Sequence, residues 1–367
     1  MAATAERQIS PHLKNSHGMS APHYYEHTED FVLESGATLP GFTLAYHTYG
    51  NSAKAGKTIW VCHALTGNAD CADWWPGLFE SGGLYDPAEH FIVCANMLGS
   101  CYGSTGPLSV SPLSGELWYH NFPQLSNRDI ARAFDCLRVH LGIGQVHTLI
   151  GGSAGGQQAL EWTVLQPDVF EHLIAVCTNA RHSAWGIAFN ETQRMAIAAD
   201  ASWQSSGPEA GLQGLRAARA MALLSYRHYD TYEATQTEPD DTKTGDFRAS
   251  SYQQYQGEKL LRRFNAYSYW RLSQAMDSQH LGRGRGRIEE VLAGIRAKTL
   301  VIGIPSDVLF PLSEQEFLAA HIPAARLAVI DSLYGHDGFL IETGAISDAI
   351  TEFYGQEVAS EPKQESA

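Results

Sequence analysis

Two periods alternate along this chain. Short apolar runs occupy residues 58–62, 91–95, 146–150, 173–177, 299–304 and 327–330, each rich in β-branched or aromatic residues and bounded by glycine, proline or polar clusters. Runs of this length and composition predict strands, and those at 58–62, 91–95 and 146–150 buried ones. Between them lie stretches of helical period: over residues 130–141, Ile130, Ala133, Phe134, Leu137 and Leu141 fall on one stripe. Strands separated by helices predict an α/β protein with a mainly parallel sheet and helices on both faces. Residues 31–33 and 42–49 predict an antiparallel hairpin joined through Gly36 and Pro40-Gly41, preceded by a loose arm over residues 1–27.

The pattern changes after about residue 180. From there to 296 no buried strand is predicted; residues 209–226 and 257–277 favour helix, and 235–245 form a polar interruption. This predicts a core of residues 1–180 and 296–367, with a helical lid inserted over 181–295. The insertion ends at Gly282-Arg283-Gly284-Arg285-Gly286-Arg287. Such a repeat is compatible with binding phosphate or RNA, but in a chain this acidic it is expected to be a flexible, solvated junction. A last helix is expected over 345–354.

Composition narrows the class. The 367 residues carry 25 Lys and Arg against 40 Asp and Glu, a net charge of −15, which argues against a nucleic-acid partner. With 44% hydrophobic and 18% charged residues the chain can bury a large core. No run of about 18 apolar residues predicts a membrane span, and residues 1–20 lack the apolar segment of a secretory signal. Six cysteines without C-x-x-C spacing predict reduced thiols, with no disulfide framework and no metal site. A cytoplasmic location is expected.

The run at 146–152 ends in Gly151-Gly152-Ser153-Ala154-Gly155-Gly156 and continues into a helical pattern stopped by Pro167. Gly-x-Ser-x-Gly between strand and helix is the nucleophile-elbow pattern, in which a strained turn holds a serine hydroxyl above the sheet. Neither a P-loop nor a G-x-G-x-x-G fingerprint is present, so phosphate cradling is the weaker use of these glycines. A serine needs a base, and the base an orienting acid, which in such folds follow in the order Ser, Asp or Glu, His at the ends of later strands. Asp307 follows the run at 299–304 and His336 follows the run at 327–330. Ser153, Asp307 and His336 are therefore the expected nucleophile, acid and base. The oxyanion donors are expected to be the amides of Ala154 and of Leu65, in the turn after the run at 58–62. His63, in that same turn, is expected to prop the loop instead of acting as a base.

Several segments together resemble the homoserine O-acetyltransferases of the α/β-hydrolase fold. They are His63-Ala64-Leu65-Thr66-Gly67, the run 96–107, the run 151–162, Ser306-Asp307-Val308-Leu309-Phe310-Pro311 and Gly335-His336-Asp337-Gly338. In the lid the resemblance includes 214–219, Ser225-Tyr226-Arg227 and 263–270, and the likeness spans about residues 25–355. It implies acetyl transfer from acetyl-CoA, as co-substrate, to the hydroxyl of L-homoserine in methionine biosynthesis, with no bound cofactor. It also implies a homodimer made through the lid helices. Matched by position, Arg219 and Tyr226 line the acceptor pocket: Arg219 suits the acceptor carboxylate and Asp337 its ammonium. Two plainer uses compete, a lid salt bridge for Arg219 and a helix cap for Asp337. Where the family usually has Met after the nucleophile, this chain has Ala154, which retains the amide and alters the pocket volume. Succinyl-CoA as donor, serine as acceptor, an esterase with the same triad, and a ligand-binding protein without activity are the competing functions.

Overall fold

The computed structural model describes residues 21–52 and 56–360. Of the arm expected over 1–27, residues 1–20 lie outside the described residues, and strand already begins at His23. Strands β1 (His23–Val32) and β2 (Thr38–Tyr49) form the expected hairpin. Pro40 and Gly41 lie inside β2 and not in its turn, opposite a register shift between His27 and Asp30 of β1. Gly41 has φ +81°, and a Cβ there would stand 2.6 Å from the His27 carbonyl oxygen, so the bulge itself requires glycine.

The chain continues through β3 (Lys57–Cys62), α1 (Cys71–Trp74), β4 (His90–Ala95), α2 (Asn127–His140), β5 (Val146–Gly152), α3 (Ala154–Leu165) and β6 (Phe170–Val176). Six helices follow: α4 (Ala184–Ala198), α5 (Leu212–Tyr226), α6 (Tyr229–Gln236), α7 (Arg248–Leu261), α8 (Ala266–Asp277) and α9 (Ile288–Ala293). The remaining elements are β7 (Lys298–Gly303), α10 (Leu312–His321), β8 (Arg326–Val329), α11 (Gly338–Ile341) and α12 (Thr343–Ser360). The sheet order is β1-β2-β4-β3-β5-β6-β7-β8, parallel from β4 onward.

Central strands are covered on both faces, as their unbroken apolar runs require. In β3, Trp60 and Cys62 face a cluster built from α2, α3 and α10, with Trp60 edge-on to Trp162 at 4.9 Å. Ile59 and Val61 face the opposite cluster, where Cys71 of α1, Trp75 just beyond it, and Ile346 and Ile350 of α12 pack together. Helix α2 starts earlier than its apolar stripe predicts, because Ser126 and Asp129 form a capping box that satisfies its first amides.

Two lid features differ from expectation. The helix expected over 257–277 is broken at residues 262–265, where the Asn265 side chain accepts from the Ser268 amide at 2.8 Å and starts α8 afresh. The Gly-Arg repeat is not a flexible, solvated junction. Arg283 pairs with Glu34 at 2.8 Å and Arg285 with the buried Glu161 at 2.6 Å, while Arg128 of α2 bridges both carboxylates at 2.7 Å. Two arginines of the repeat thus staple the end of the lid to α2, α3 and the β1–β2 turn. All six cysteines are free, and no helix of the described residues is long and apolar enough to cross a membrane.

Candidate active site

Strand β5 ends at Gly152 and α3 begins at Ala154, leaving Ser153 alone at the corner with φ 58° and ψ −125°. A non-glycine residue in this region stores on the order of 1–3 kcal/mol, held in place by its surroundings. Those surroundings explain the glycines. A Cβ on Gly151 would lie 2.4 Å from the Gly155 carbonyl oxygen, and one on Gly155 would lie 2.1 Å from the Cys62 carbonyl oxygen. The end of β3 is therefore pressed against the start of α3, and the serine is forced upward out of the turn.

Both partners arrive from later strands. The His336 Nε2 is 2.8 Å from Ser153 Oγ, and its Nδ1 is 2.6 Å from Asp307 Oδ2. The other carboxylate oxygen, Oδ1, accepts the amides of Leu309 and Phe310 at 2.8 Å each, so the acid cannot swing away. With a carboxylate beside Nδ1, that nitrogen carries the proton and Nε2 is left to accept from the serine hydroxyl. The imidazole is stacked on Phe310 at 5.1 Å, and all three residues are buried. The structure thus brings Ser153, Asp307 and His336 together in one hydrogen-bonded chain.

Leu65 and Ala154 are buried beside the elbow, and among the described residues neither amide donates to a protein acceptor. His63 is fully buried and works as a prop: Nδ1 lies 2.9 Å from the Ala64 carbonyl oxygen and Nε2 accepts the Met97 amide at 3.1 Å. Burial lowers its pKa to about 4, against the opposing effect of the Ala64 hydrogen bond, so it stays neutral and ties the β3 loop to the β4 loop.

A cavity of about 520 Å³ opens over the serine, lined in part by Ser153, His336, Arg219, Tyr226 and Asp337. Arg219 sits 5.3 Å from the centre of the Tyr226 ring and has no carboxylate partner among the described residues, so it is not a lid salt bridge. Tyr269, close to Tyr226, donates its hydroxyl to Gln193, and burial raises the pKa of both phenols. Asp337 does not cap α11 with its side chain. Its Oδ2 lies 2.7 Å from Arg227 Nε, an ion contact without hydrogen-bond alignment. Arg227 is the partner that sequence reasoning missed; only its place in Ser225-Tyr226-Arg227, one residue past a pocket tyrosine, pointed to it. Lys259, Arg262 and Arg263 also line the cavity and were missed as well.

Other grooves and clusters stand apart. A larger open groove of about 790 Å³ between β8 and α12 contains none of these residues. His147, Glu171 and His172 lie close enough together to hold a cation. They sit at the far ends of β5 and β6, with His147 five residues back from Gly152, or roughly 17 Å along the strand.

A strained serine between a parallel strand and a helix, with an aspartate and a histidine delivered from the ends of β7 and β8 of the same sheet, defines the α/β-hydrolase class. The family profile described as "alpha/beta hydrolase fold" matches residues 57–343. A homoserine O-acetyltransferase of Cyclobacterium marinum is 49% identical over 327 residues, covering 89% of this chain and 93% of that protein. The chain belongs to the homoserine O-acetyltransferase family. Among solved structures, a homoserine O-acetyltransferase from Bacillus anthracis superposes with a TM-score of 0.83 at 23% identity, over 91% of this chain and 98% of that one. The L374D mutant of esterase E22 superposes at 0.82 with 22% identity, over 90% of this chain and 98% of that one.

Proposed function

We propose that this protein transfers an acetyl group from acetyl-CoA to the hydroxyl of L-homoserine through an acyl-Ser153 intermediate. The observation that carries the reading is one cavity holding a serine–histidine–aspartate chain together with Arg219 and Asp337. His336 takes the Ser153 proton as Oγ bonds to the thioester carbonyl carbon, and the oxyanion is received by the amides of Leu65 and Ala154. The C–S bond then breaks, and His336 returns the proton to the leaving thiolate. Homoserine enters, His336 takes the proton of its hydroxyl, and that oxygen attacks the acyl carbon. As the second tetrahedral intermediate collapses, Ser153 Oγ leaves with the proton from His336.

Supporting the acceptor are the relatives' activity and the charge pattern. Arg219 offers a planar fork, uncommitted to any carboxylate, for the α-carboxylate, and Asp337 stands next to the base for the ammonium. Fold alone does not choose the acceptor, since an esterase superposes as well as an acetyltransferase does. The charged pair Arg219 and Asp337 supports an amino-acid acceptor over water. Acetyl as the donor group, a cytoplasmic site in methionine synthesis and a homodimer through the lid helices are parts of the same reading, supported by the family.

The test is intact-protein mass after mixing with acetyl-CoA alone, then with homoserine. Acetyl on Ser153 that accumulates without acceptor and is discharged as O-acetylhomoserine supports the reading. Discharge to water at the same rate with or without homoserine turns the assignment to an esterase. A mass gain with succinyl-CoA and none with acetyl-CoA changes the donor.

A further inference from the structure

Although the chain carries 25 basic against 40 acidic residues, the Ser153 cavity is lined by four cations, Arg219, Lys259, Arg262 and Arg263. Only two carboxylates, Asp73 and Asp337, line it, and Asp337 already has Arg227. Arg263 is structurally committed. Its Nη1 donates to the Thr66 carbonyl oxygen at 2.5 Å and the Tyr102 hydroxyl at 2.7 Å, tying the α7–α8 break to the loops after β3 and β4. Lys259 and Arg262 are not. Both are exposed, and among the described residues neither side chain makes a hydrogen bond or an ion pair, while the neighbouring Glu258 is turned to Arg216 at 2.9 Å.

Basic residues at the end of a helix complement its dipole, which accounts for cations near the C-terminus of α7. It does not account for placing them over a nucleophile. That placement comes from packing: α7 rests on α5 at Gly257, where a Cβ would stand 2.8 Å from the Arg216 carbonyl oxygen. Arg219 lies one turn along α5 from that contact, and Lys259 and Arg262 lie within about a turn and a half of it along α7. The same lid wall thus presents half-buried Arg219 inside and two unpaired, solvated cations outside.

We propose that Lys259 and Arg262 form the phosphate subsite for the acyl donor, receiving the anionic nucleotide end of coenzyme A while its thioester reaches Ser153. This rests on the acyl-transfer reading above and deepens it. Exposed cations of this kind act through screened attraction, so they set donor affinity and its salt dependence and leave the chemical step alone.

The experiment measures the rate of Ser153 acylation by mass in wild type and in the Lys259→Gln/Arg262→Gln double variant. Two donors are used: acetyl-CoA, and S-acetyl-N-acetylcysteamine, which has the thioester and no phosphate. The half-saturating acetyl-CoA concentration rises roughly tenfold or more in the variant, about one decade per 1.4 kcal/mol of lost attraction, with an unchanged plateau rate. Acylation by the phosphate-free donor does not change. Added NaCl raises the half-saturating acetyl-CoA concentration of wild type and has little effect on the variant. Equal loss with both donors shows a structural role and overturns the proposal; so does no change with either while wild type is acylated by both. If neither donor acylates wild-type Ser153, the acyl-transfer reading falls first, and the subsite with it.

Discussion

The two walls of the cavity are built differently. On the sheet side, Ser153, His336 and Asp307 are all buried and joined end to end by hydrogen bonds, with two further backbone amides pinning the acid. On the facing wall, Arg219 of the inserted helices packs on a tyrosine ring, Arg227 reaches down to Asp337 of the core beside the base, and Lys259 and Arg262 stand in solvent. The sheet side is preorganised for one kind of chemistry whatever the substrate. The facing wall carries the charged groups, and in the proposed function those charges select what enters. The proposed function therefore predicts that catalysis and specificity are separable by mutation.

The largest effect tests the sheet side. Ser153→Ala removes the acyl-enzyme and lowers the rate by ~10⁶-fold, and His336→Ala costs about as much, since the two act as a unit. Single-turnover mass spectra check this; an acyl adduct on Ser153→Ala would place the nucleophile elsewhere.

Next comes the acceptor arm. Arg219→Ala and Asp337→Asn lower transfer to homoserine by roughly 10²- to 10³-fold, the cost of leaving one charge of a desolvated pair unmatched. Both leave acylation of Ser153 by the thioester near its wild-type rate. If either variant instead slows acylation as much as transfer, the separation between the walls fails.

A smaller effect is expected at Arg227, which contacts Asp337 without touching the triad. Arg227→Ala raises the KM for homoserine by about tenfold with little change in kcat, and Arg227→Lys recovers part of the loss because it restores the charge beside the carboxylate. An equal fall in kcat and kcat/KM would show that Arg227 acts on the reacting atoms.

The smallest effect concerns the staple that joins the lid to the core, and it is one of stability. Burial pushes the Glu34 carboxyl upward, but hydrogen bonds from Arg283 and Ser126 and the charges of Arg128 and Arg283 outweigh it and hold the pKa at about 2. A carboxyl lowered on folding contributes stability that is complete above its unfolded pKa, near 4.5, and is lost as pH falls toward 2. After discount for the partial exposure of the pair, Glu34→Gln costs about 1–2 kcal/mol at pH 7. The gap in urea midpoint between wild type and variant narrows as pH falls from 6 to 3. A gap independent of pH would mean the loss is one of packing and not of charge.

What could be read in the chain without its structure was whatever is governed by neighbours in sequence. The elbow is legible because glycines at fixed spacing are the local answer to a strained turn. Asp307 and His336 are legible because each follows a short apolar run that reads as a strand, in an order the fold dictates. The capping box at Ser126 and Asp129 is equally local, yet the apolar stripe alone put the start of α2 at Ile130. What only the tertiary structure decided is which long, flexible side chains meet. Arg283 reaches Glu34 across 249 residues of sequence and Arg285 reaches Glu161 across 124, so a repeat with every local mark of a solvated linker becomes a staple. Arg227 finds Asp337, and Lys259 and Arg262 find the cavity, because α5 and α7 close on each other at Gly257. Backbone turns are set within a few residues by sterics, whereas a charged side chain pairs with whatever the packing of distant helices brings within reach.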